Sequence, residues 1–217
     1  MATRNILKDG DRGLTKKSRY VTDFNKRLHM LLDDMRETLI EANGLGLAAP
    51  QVGVLRRVAL IVDTGKDIEP ADDQNEECTD EYTEEYLEEQ FIKRYNEQII
   101  ELVNPEIINR TGEQSGSEGC LSVPGVYGIV TRPETVLFKA QDRYGNTFEQ
   151  EVSELTARAV CHELDHLDGV IFTSIVERFL TEEELAEMAA RRNRGQTDGD
   201  SGRSDDSGDH CDEAEIK

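Results

Sequence analysis

Two histidines four residues apart stand in the segment 161–169, which reads CHELDHLDG. Positions four apart lie on one face of an α-helix, so His162 and His166 can each direct a ring nitrogen at one ion. Glu163 then lies about 100° round the helix from His162, which is a poor direction for a third ligand but suits a carboxylate that takes a proton from water beside the ion. The spacing predicts a metal site with its own acid/base group.

The HExxH pattern also occurs by chance in soluble helices, where the two histidines only pack or face solvent. The residues before the pattern favour a buried site, because Leu155 and Ala159 fall on the same predicted helix face as the two histidines. A buried imidazole needs a polar partner, and a metal ion is one such partner.

A metal ion held by HExxH needs a further protein ligand, and Cys120 is the strongest candidate. It stands in the segment 118–125, EGCLSVPG, where a preceding glycine and a following proline indicate a tight, rigid turn. A cysteine in such a place is either a small core residue or a positioned thiolate. The downstream histidine of the long metalloprotease pattern would fall at position 172, which is Phe172. The need for a third donor and the missing histidine shift the balance for Cys120 towards a metal ligand, while the alternative of a core cysteine stays open.

A second segment of small residues, GLGLAAPQ at 44–51, lacks a phosphate-binding signature, since it has neither GxGxxG nor a following Lys-Ser/Thr. Glycines two apart let a backbone come close to a ligand, so a bound peptide fits this segment better than a phosphate group does. Gln51 is its one polar side chain.

The surrounding elements predict an α+β fold. Apolar residues at helical spacing predict a long N-terminal amphipathic helix, with Thr22 or Asp23 as its cap and Asn43-Gly44 as its end. A C-terminal helix is predicted to open at Thr181 and to run to about Arg192. Antiparallel or mixed sheets are expected to pack around a central, metal-bearing HExxH helix. The predicted strands are 58–62, 99–103, 106–109 after a break at Asn104-Pro105, a hairpin at 134–151, and 170–172.

The net charge of −21 is concentrated in two segments, since residues 64–96 carry −9 and residues 193–217 carry −5. The first is interpreted as an acidic insertion without a part in the chemistry, and the second as a disordered acidic tail after a catalytic domain at 1–192. No basic face suited to a phosphate backbone is apparent, so direct nucleic-acid binding is not expected. No signal peptide or membrane span is apparent, and the expected location is the cytoplasm.

The segments GLGLAAPQ, EGCLS and HELDH, in this order and with this spacing, make the chain resemble peptide deformylase over about residues 5–192, apart from the acidic insertion. The resemblance implies that Cys120, His162 and His166 are the metal ligands and that Glu163 is the catalytic acid and base. Cys161 replaces a glutamine that is frequent in the family, and it is expected to pack rather than to bind the metal.

The resemblance also implies roles for residues of the first two segments. The side-chain amide of Gln51 and the backbone N–H of Leu121 would stabilise the oxyanion. The backbone of Gly46 would contact the bound peptide, and Leu45 would line the methionine pocket. Arg132 would give structural support.

The implied reaction is that of a metal-dependent hydrolase of protein biosynthesis, which removes the formyl group from an N-terminal formylmethionine and releases formate. One divalent metal ion is expected, Fe²⁺ in the cell, although Zn²⁺, Ni²⁺ and Co²⁺ also suit two imidazoles and a thiolate. The expected partners are N-formylmethionyl nascent peptides. Work beside the ribosome is left open, because an acidic tail follows Arg191, Arg192 and Arg194.

Two other functions stay open on the residues alone. A zinc endopeptidase uses the same HExxH but takes His or Glu as its third ligand, so it would not need Cys120. A non-catalytic scaffold would hold a structural ion with the same cysteine and histidines, while its acidic segments bind a basic partner. In that case Glu163 would be dispensable.

Overall fold

The computed structural model describes residues 2–65 and 84–197 of the chain. The chain divides into two compact units, Met1–Phe179 and Leu180–Lys217. Among the described residues, no helix combines the length and the apolar character that a membrane crossing requires. The helices are α1 (Lys26–Glu41), α2 (Glu84–Gln98), α3 (Glu154–Asp168) and α4 (Glu182–Thr197). The strands are β1 (Gly46–Ala48), β2 (Val58–Val62), β3 (Ile99–Thr111), β4 (Gln114–Cys120), β5 (Val123–Arg132), β6 (Thr135–Gln141), β7 (Thr147–Ser153) and β8 (Arg178–Phe179).

The strands form a five-stranded sheet in the order β1-β2-β3-β6-β7 and a three-stranded sheet in the order β4-β5-β8. Every pairing between these strands is antiparallel. The predicted α+β class with antiparallel sheets is therefore confirmed, as is the hairpin, which forms from β6 and β7. The segment HELDH lies in α3 as predicted.

The five-stranded sheet is covered on both faces, as the burial of β2 shows. Its five residues are all buried. Side chains alternate between the faces of a strand, and accordingly Val58, Leu60 and Val62 join the core cluster of α1 while Ala59 and Ile61 join that of α3. A run of five apolar residues without alternation is the pattern of a strand buried on both faces.

Helix α1 begins later than the sequence predicted. Its N-cap is Asn25, whose side chain accepts hydrogen bonds from the backbone N–H groups of Arg27 and Leu28. Asn, Asp and Thr are all good N-caps, so neither Thr22 nor Asp23 could be excluded from local signals. The apolar face itself is as predicted, and its buried residues include Leu28, Leu31, Leu32, Met35 and Leu39.

The predicted break at Asn104-Pro105 is wrong, because β3 continues through both residues with a register shift between Val103 and Glu106. Asn104 adopts a positive φ of 52°, which asparagine tolerates better than most residues. Its side chain accepts from the N–H of Val21 at 2.8 Å and donates to the Val21 carbonyl at 2.9 Å. A bulge thus accommodates the proline, which cannot donate to the ladder.

The acidic insertion contributes a residue to the core. Its described portion contains α2, and Tyr95 of this helix is only 8% exposed within the α1 core cluster. The Tyr95 hydroxyl donates to the Gly44 carbonyl, and burial raises the pKa of Tyr95 to about 12. Tyr95 thus ties α2 to the core, whereas the expectation that the insertion has no part in the chemistry stays a prediction, and residues 66–83 lie outside the described residues.

Two details of the α3 region differ from the sequence predictions. Leu155 is 43% exposed, because it lies in the first turn of α3, before the part of the helix that packs on the sheet. Residues 170–172 do not form a strand; Gly169 ends α3 with a positive φ of 79° and a 3-10 turn follows at Phe172–Ser174. A left-handed glycine is a common end of a helix, the 3-10 turn begins soon after it, at Phe172, and residues 170–172 pair with no strand among the described residues.

The second unit contains α4, whose start is as predicted. The N–H of Glu184 donates to the Thr181 hydroxyl at 3.2 Å, and the N–H of Thr181 donates to the Glu184 carboxylate at 2.9 Å. This is a capping box. The helix continues to Thr197, beyond its predicted end at about Arg192. The division into a domain at 1–192 and a tail at 193–217 stays a prediction.

Candidate active site

The three predicted metal ligands come together from two elements. Cys120 ends β4, and α3 presents His162 and His166 from successive turns. Their possible ligand atoms all lie within 4.8 Å of one another, and Cys120 Sγ is 3.1 Å from His166 Nε2. Two imidazoles and one thiol suit Zn²⁺ and the other late divalent metals, and three protein ligands leave a coordination position for a substrate or water. The residues present therefore fit a catalytic metal ion.

Burial favours the neutral form of both imidazoles. It lowers the pKa of His166 to about 3, helped by the positive charges of His162 and Arg132, so this ring is neutral, as a ligand must be. Burial also lowers the pKa of His162, but hydrogen bonding to Cys120 and Glu118 outweighs it and raises the value to about 10. Binding of an ion there would release a proton.

Glu118 is a site residue that the sequence reasoning missed. Its carboxylate accepts two hydrogen bonds from Arg132, at 2.9 and 3.1 Å, and one from Arg158 at 2.8 Å. Burial raises its pKa, but hydrogen bonds from His162 and Arg132 outweigh burial and lower the value to about 2. A carboxylate that stays ionised can only accept, so His162 Nδ1, 3.2 Å away, must donate to it. His162 Nε2 is then the ring nitrogen that can bind an ion.

Two further charged residues support this arrangement. Arg132, predicted as structural support, also reaches Asp165 on α3 at 2.6 Å. Arg158 additionally donates to the Val130 carbonyl at 3.0 Å and is 6% exposed. The only sequence signal for Glu118 was its position beside Cys120, and for Asp165 its position inside HELDH. The position of Arg158 in the sequence did not indicate that it belongs to the site.

Glu163 lies beside the possible ligands and is 3% exposed. Burial raises its pKa to about 7, and Oε2 is buried without a partner among the described residues. The strand β1 passes directly over it: a methyl group added to Gly46 would lie 2.7 Å from Glu163 Cγ and 2.8 Å from its carboxyl carbon. The glycine therefore makes room for the carboxylate.

Gln51 and Leu121 lie on either side of Cys120. Gln51 belongs to a 3-10 turn at Ala49–Val52 and is 1% exposed. Its side-chain oxygen accepts from the Ala48 N–H at 2.7 Å, which directs the amide nitrogen towards Cys120 Sγ at 3.6 Å and Ser122 Oγ at 3.3 Å. Leu121 follows Cys120 directly, in the turn between β4 and β5.

The predicted peptide-binding residues lie at the margin of the large sheet. Gly46 belongs to β1, which among the described strands pairs with β2 and lies at an edge of the sheet. Leu45 precedes it and is 40% exposed. An edge strand presents unpaired backbone groups to which an extended peptide can bind.

Cys161 takes no part in this cluster, as predicted. It is 5% exposed and packs in the core between α3 and the large sheet. Burial raises its pKa, and a buried thiol of raised pKa is unreactive.

A family model described as polypeptide deformylase matches residues 3–180. A peptide deformylase from Caldicellulosiruptor bescii is 48% identical over 195 residues, which cover 90% of this chain and 96% of the relative. Peptide deformylase 1 from Bacillus subtilis is 42% identical, over 87% of this chain and 99% of its own length.

Solved structures agree with this result. The crystal structure of a peptide deformylase from Legionella pneumophila is 35% identical, with a TM-score of 0.64 and coverage of 94% of this chain and 100% of that one. A class I type b peptide deformylase from Acinetobacter baumannii with Met-Ala-Ser bound is 30% identical, with a TM-score of 0.63 and coverage of 81% and 99%.

Proposed function

The chain belongs to the polypeptide deformylase family, and from this premise we propose how its own residues carry out the reaction. It is a hydrolase that removes the N-formyl group from newly made polypeptides. The zinc endopeptidase and the non-catalytic scaffold are not favoured.

Members of this family are metalloenzymes, and Cys120, His162 and His166 are the group that would hold the ion. We propose one divalent ion, Fe²⁺ in the cell, with Zn²⁺, Ni²⁺ and Co²⁺ compatible with the same ligands. Such an ion polarises a carbonyl group and lowers the pKa of water towards neutrality.

Glu163 is the proposed general base and acid. It takes a proton from the attacking water and then delivers it to the amine that leaves when the formyl C–N bond breaks. A group serves both steps best when its pKa lies near the working pH, and burial raises the pKa of Glu163 to about 7. The Oε2 atom has no hydrogen-bond partner among the described residues, which supports this role, since it can accept such a proton.

The oxyanion that develops on the formyl oxygen is proposed to accept hydrogen bonds from the Gln51 amide and the Leu121 N–H. The Gln51 amide is held in place before substrate binds, because Ala48 occupies its oxygen. One such donor is typically worth about 3 kcal/mol of transition-state stabilisation.

The peptide is proposed to bind along Gly46 as a strand added to the edge of the large sheet. Main-chain hydrogen bonds then hold any sequence, while a pocket lined by Leu45 selects the methionine side chain. Support comes from the edge position of β1 and the exposure of Leu45.

We propose that this protein acts in the cytoplasm, because nascent polypeptides carry the formyl group there. Neither a membrane nor a nucleic acid is proposed as a partner. Ribosome proximity stays open. The catalytic domain is proposed to comprise 1–192, interrupted by the acidic insertion at 64–96 and followed by the acidic tail at 193–217.

The observation that carries this proposal is the meeting of Cys120 with the two histidines of α3, beside a buried carboxylate of raised pKa. The test compares the wild type, Glu163→Ala and the control Glu151→Ala, an exposed carboxylate on β7, all prepared without oxygen. Formate release from formyl-Met-Ala-Ser should fall at least about 100-fold in Glu163→Ala alone. Elemental analysis should find equal metal in all three, because Glu163 is not a ligand. Full turnover by Glu163→Ala would reject its role.

Cys120→Ala separates the deformylase from a zinc endopeptidase. Loss of the thiolate should remove both the metal and the formate release, since two imidazoles alone bind an ion weakly. An endopeptidase with a His or Glu ligand would keep both its metal and its activity.

A further inference from the structure

The N-terminal arm, residues 7–18, crosses all three segments that contain the site. The N–H of Leu7 donates to the Gln51 carbonyl at 2.7 Å, and the N–H of Asp9 donates to the Ser122 carbonyl at 2.8 Å. Further along, the N–H of Ser18 donates to the Leu167 carbonyl of α3, also at 2.8 Å. The arm thus connects the two segments of the proposed oxyanion site and the end of the histidine-bearing helix.

Lys8 makes a second hydrogen bond from the arm to the turn between β4 and β5. Its ammonium group donates to the Leu121 carbonyl at 2.9 Å. The central carbonyls of this turn, those of Leu121 and Ser122, are therefore both held by adjacent residues of the arm. The Leu121 N–H belongs to the preceding peptide group, which is joined to the Leu121 carbonyl group through the two soft dihedral angles of Leu121 alone. Fixing the Leu121 and Ser122 carbonyls therefore restricts the direction of this N–H.

The arm does not depend on Lys8 for its own attachment. Leu14 is fully buried in a core cluster with Val123, Val130, Ile171 and Phe172. The Lys8 side chain, by contrast, is exposed, and hydrogen bonds of exposed charged groups contribute little to stability. The hydrogen bond from Lys8 to the Leu121 carbonyl therefore affects the local geometry of the turn more than the stability of the fold.

We propose that Lys8 is a positioning residue for the oxyanion site: it holds the Leu121 carbonyl so that the Leu121 N–H and the Gln51 amide converge on one oxygen. This inference rests on the proposed function. Small displacements of a catalytic group reduce the rate steeply, whereas Lys8 makes no hydrogen bond, among the described residues, to the strand β1 along which the peptide is proposed to bind. Loss of the Lys8 contact should therefore act on kcat and not on KM.

The test uses Lys8→Met, which keeps the length of the side chain but removes the donor. We expect kcat for formyl-Met-Ala-Ser to fall about tenfold, less than the 10²–10³-fold cost of losing a whole oxyanion donor, with KM unchanged. Lys8→Arg retains a cationic donor and should recover most of the rate. Lys16→Met is the matched control, because Lys16 is an exposed lysine of the same arm, and it should behave as the wild type.

Metal content and Tm are measured on the same preparations, and both should be unchanged in Lys8→Met. An unchanged kcat in Lys8→Met, no recovery in Lys8→Arg, or a loss of rate that follows a loss of metal or a lower Tm would each overturn the inference. An inactive, metal-loaded wild type would overturn the proposed function as well, so the two failures are distinguishable.

Discussion

At position 46 the missing side chain is what allows Glu163 and β1 to lie in contact. A Cβ atom there would lie 2.7 Å from Glu163 Cγ, well inside van der Waals contact. The φ of Gly46 is not positive, so the need for glycine at this position comes from space and not from backbone conformation.

Gly46→Ala should therefore displace the Glu163 carboxylate and lower kcat by about 100-fold, the typical cost of misplacing a catalytic group by about 1 Å. The metal should be retained, since no ligand is touched. Formate kinetics and elemental analysis measure both effects. Gly65→Ala is the control, because a Cβ at Gly65 would meet Asp63 at an ordinary 3.6 Å. Wild-type kinetics in Gly46→Ala would contradict the steric argument.

Glu118 combines a structural and a functional contact in one buried carboxylate, with a side chain that is 4% exposed. Glu118→Gln removes the negative charge that faces Arg132 and Arg158, and breaking a buried ion pair on one side costs about 3 kcal/mol. The charged partner of His162 Nδ1 is replaced by a neutral amide as well, which should weaken metal binding about 10- to 100-fold. Urea unfolding and competition with a chelator measure the two effects. Exposed Glu113→Gln should change neither, and normal metal affinity in Glu118→Gln would show that the His162 contact is dispensable.

At the scale of elements, Glu101 of β3 joins α1 to the β6–β7 turn. It accepts from Arg36 of α1 at 3.1 Å and from Arg143 of the turn at 2.9 Å. Arg143 also reaches Asp33 of α1 at 2.8 Å. Burial raises the pKa of Glu101, but hydrogen bonds from Arg143 and Arg36 outweigh it, so the value is lowered from its usual 4.5.

A folded-state pKa below the unfolded value means that Glu101 stabilises the fold above about pH 4.5 and that this stability is lost as the pH falls through the lowered pKa. Glu101→Gln should reduce the free energy of unfolding at pH 7 by about 2 kcal/mol, the range for hydrogen bonds to charged groups. The difference in the free energy of unfolding between Glu101→Gln and the wild type should become smaller below about pH 4.5. Urea unfolding between pH 3 and pH 7 measures it, with exposed Glu106→Gln of the same strand as control. A gap that is independent of pH would show that the charge of Glu101 is not the cause.

At the scale of the molecule, all residues of the proposed site and all three core clusters lie in the unit Met1–Phe179. The family match likewise ends at residue 180. A chain that ends after Leu180 should therefore fold, retain its metal and keep the kcat/KM of the full chain for formyl-Met-Ala-Ser. Circular dichroism, elemental analysis and formate kinetics check this expectation. Loss of cooperative unfolding or of turnover in the shortened chain would show that the second unit is required.

From the sequence alone, local patterns predicted individual helices, strands and the spacing of site residues within them. The spacing of His162 and His166 placed two imidazoles on one helix face, the pair Thr181 and Glu184 marked the start of α4, and the alternation at 134–151 predicted the hairpin of β6 and β7. Each of these depends on residues close in the chain, whose geometry follows from the repeat of a helix or a strand. The ordered motifs also indicated the family.

Only the tertiary structure decided the contacts between distant segments. Glu118 meets Arg158 and His162, Tyr95 meets Gly44, and the N-terminal arm meets Gln51 and Ser122, in each case across a long stretch of chain. No local period encodes such pairs, because they follow from how the sheets and helices pack on one another. The chemistry of this protein could therefore be predicted from residue types and spacing, whereas the groups that hold that chemistry in place became visible only once the chain was folded.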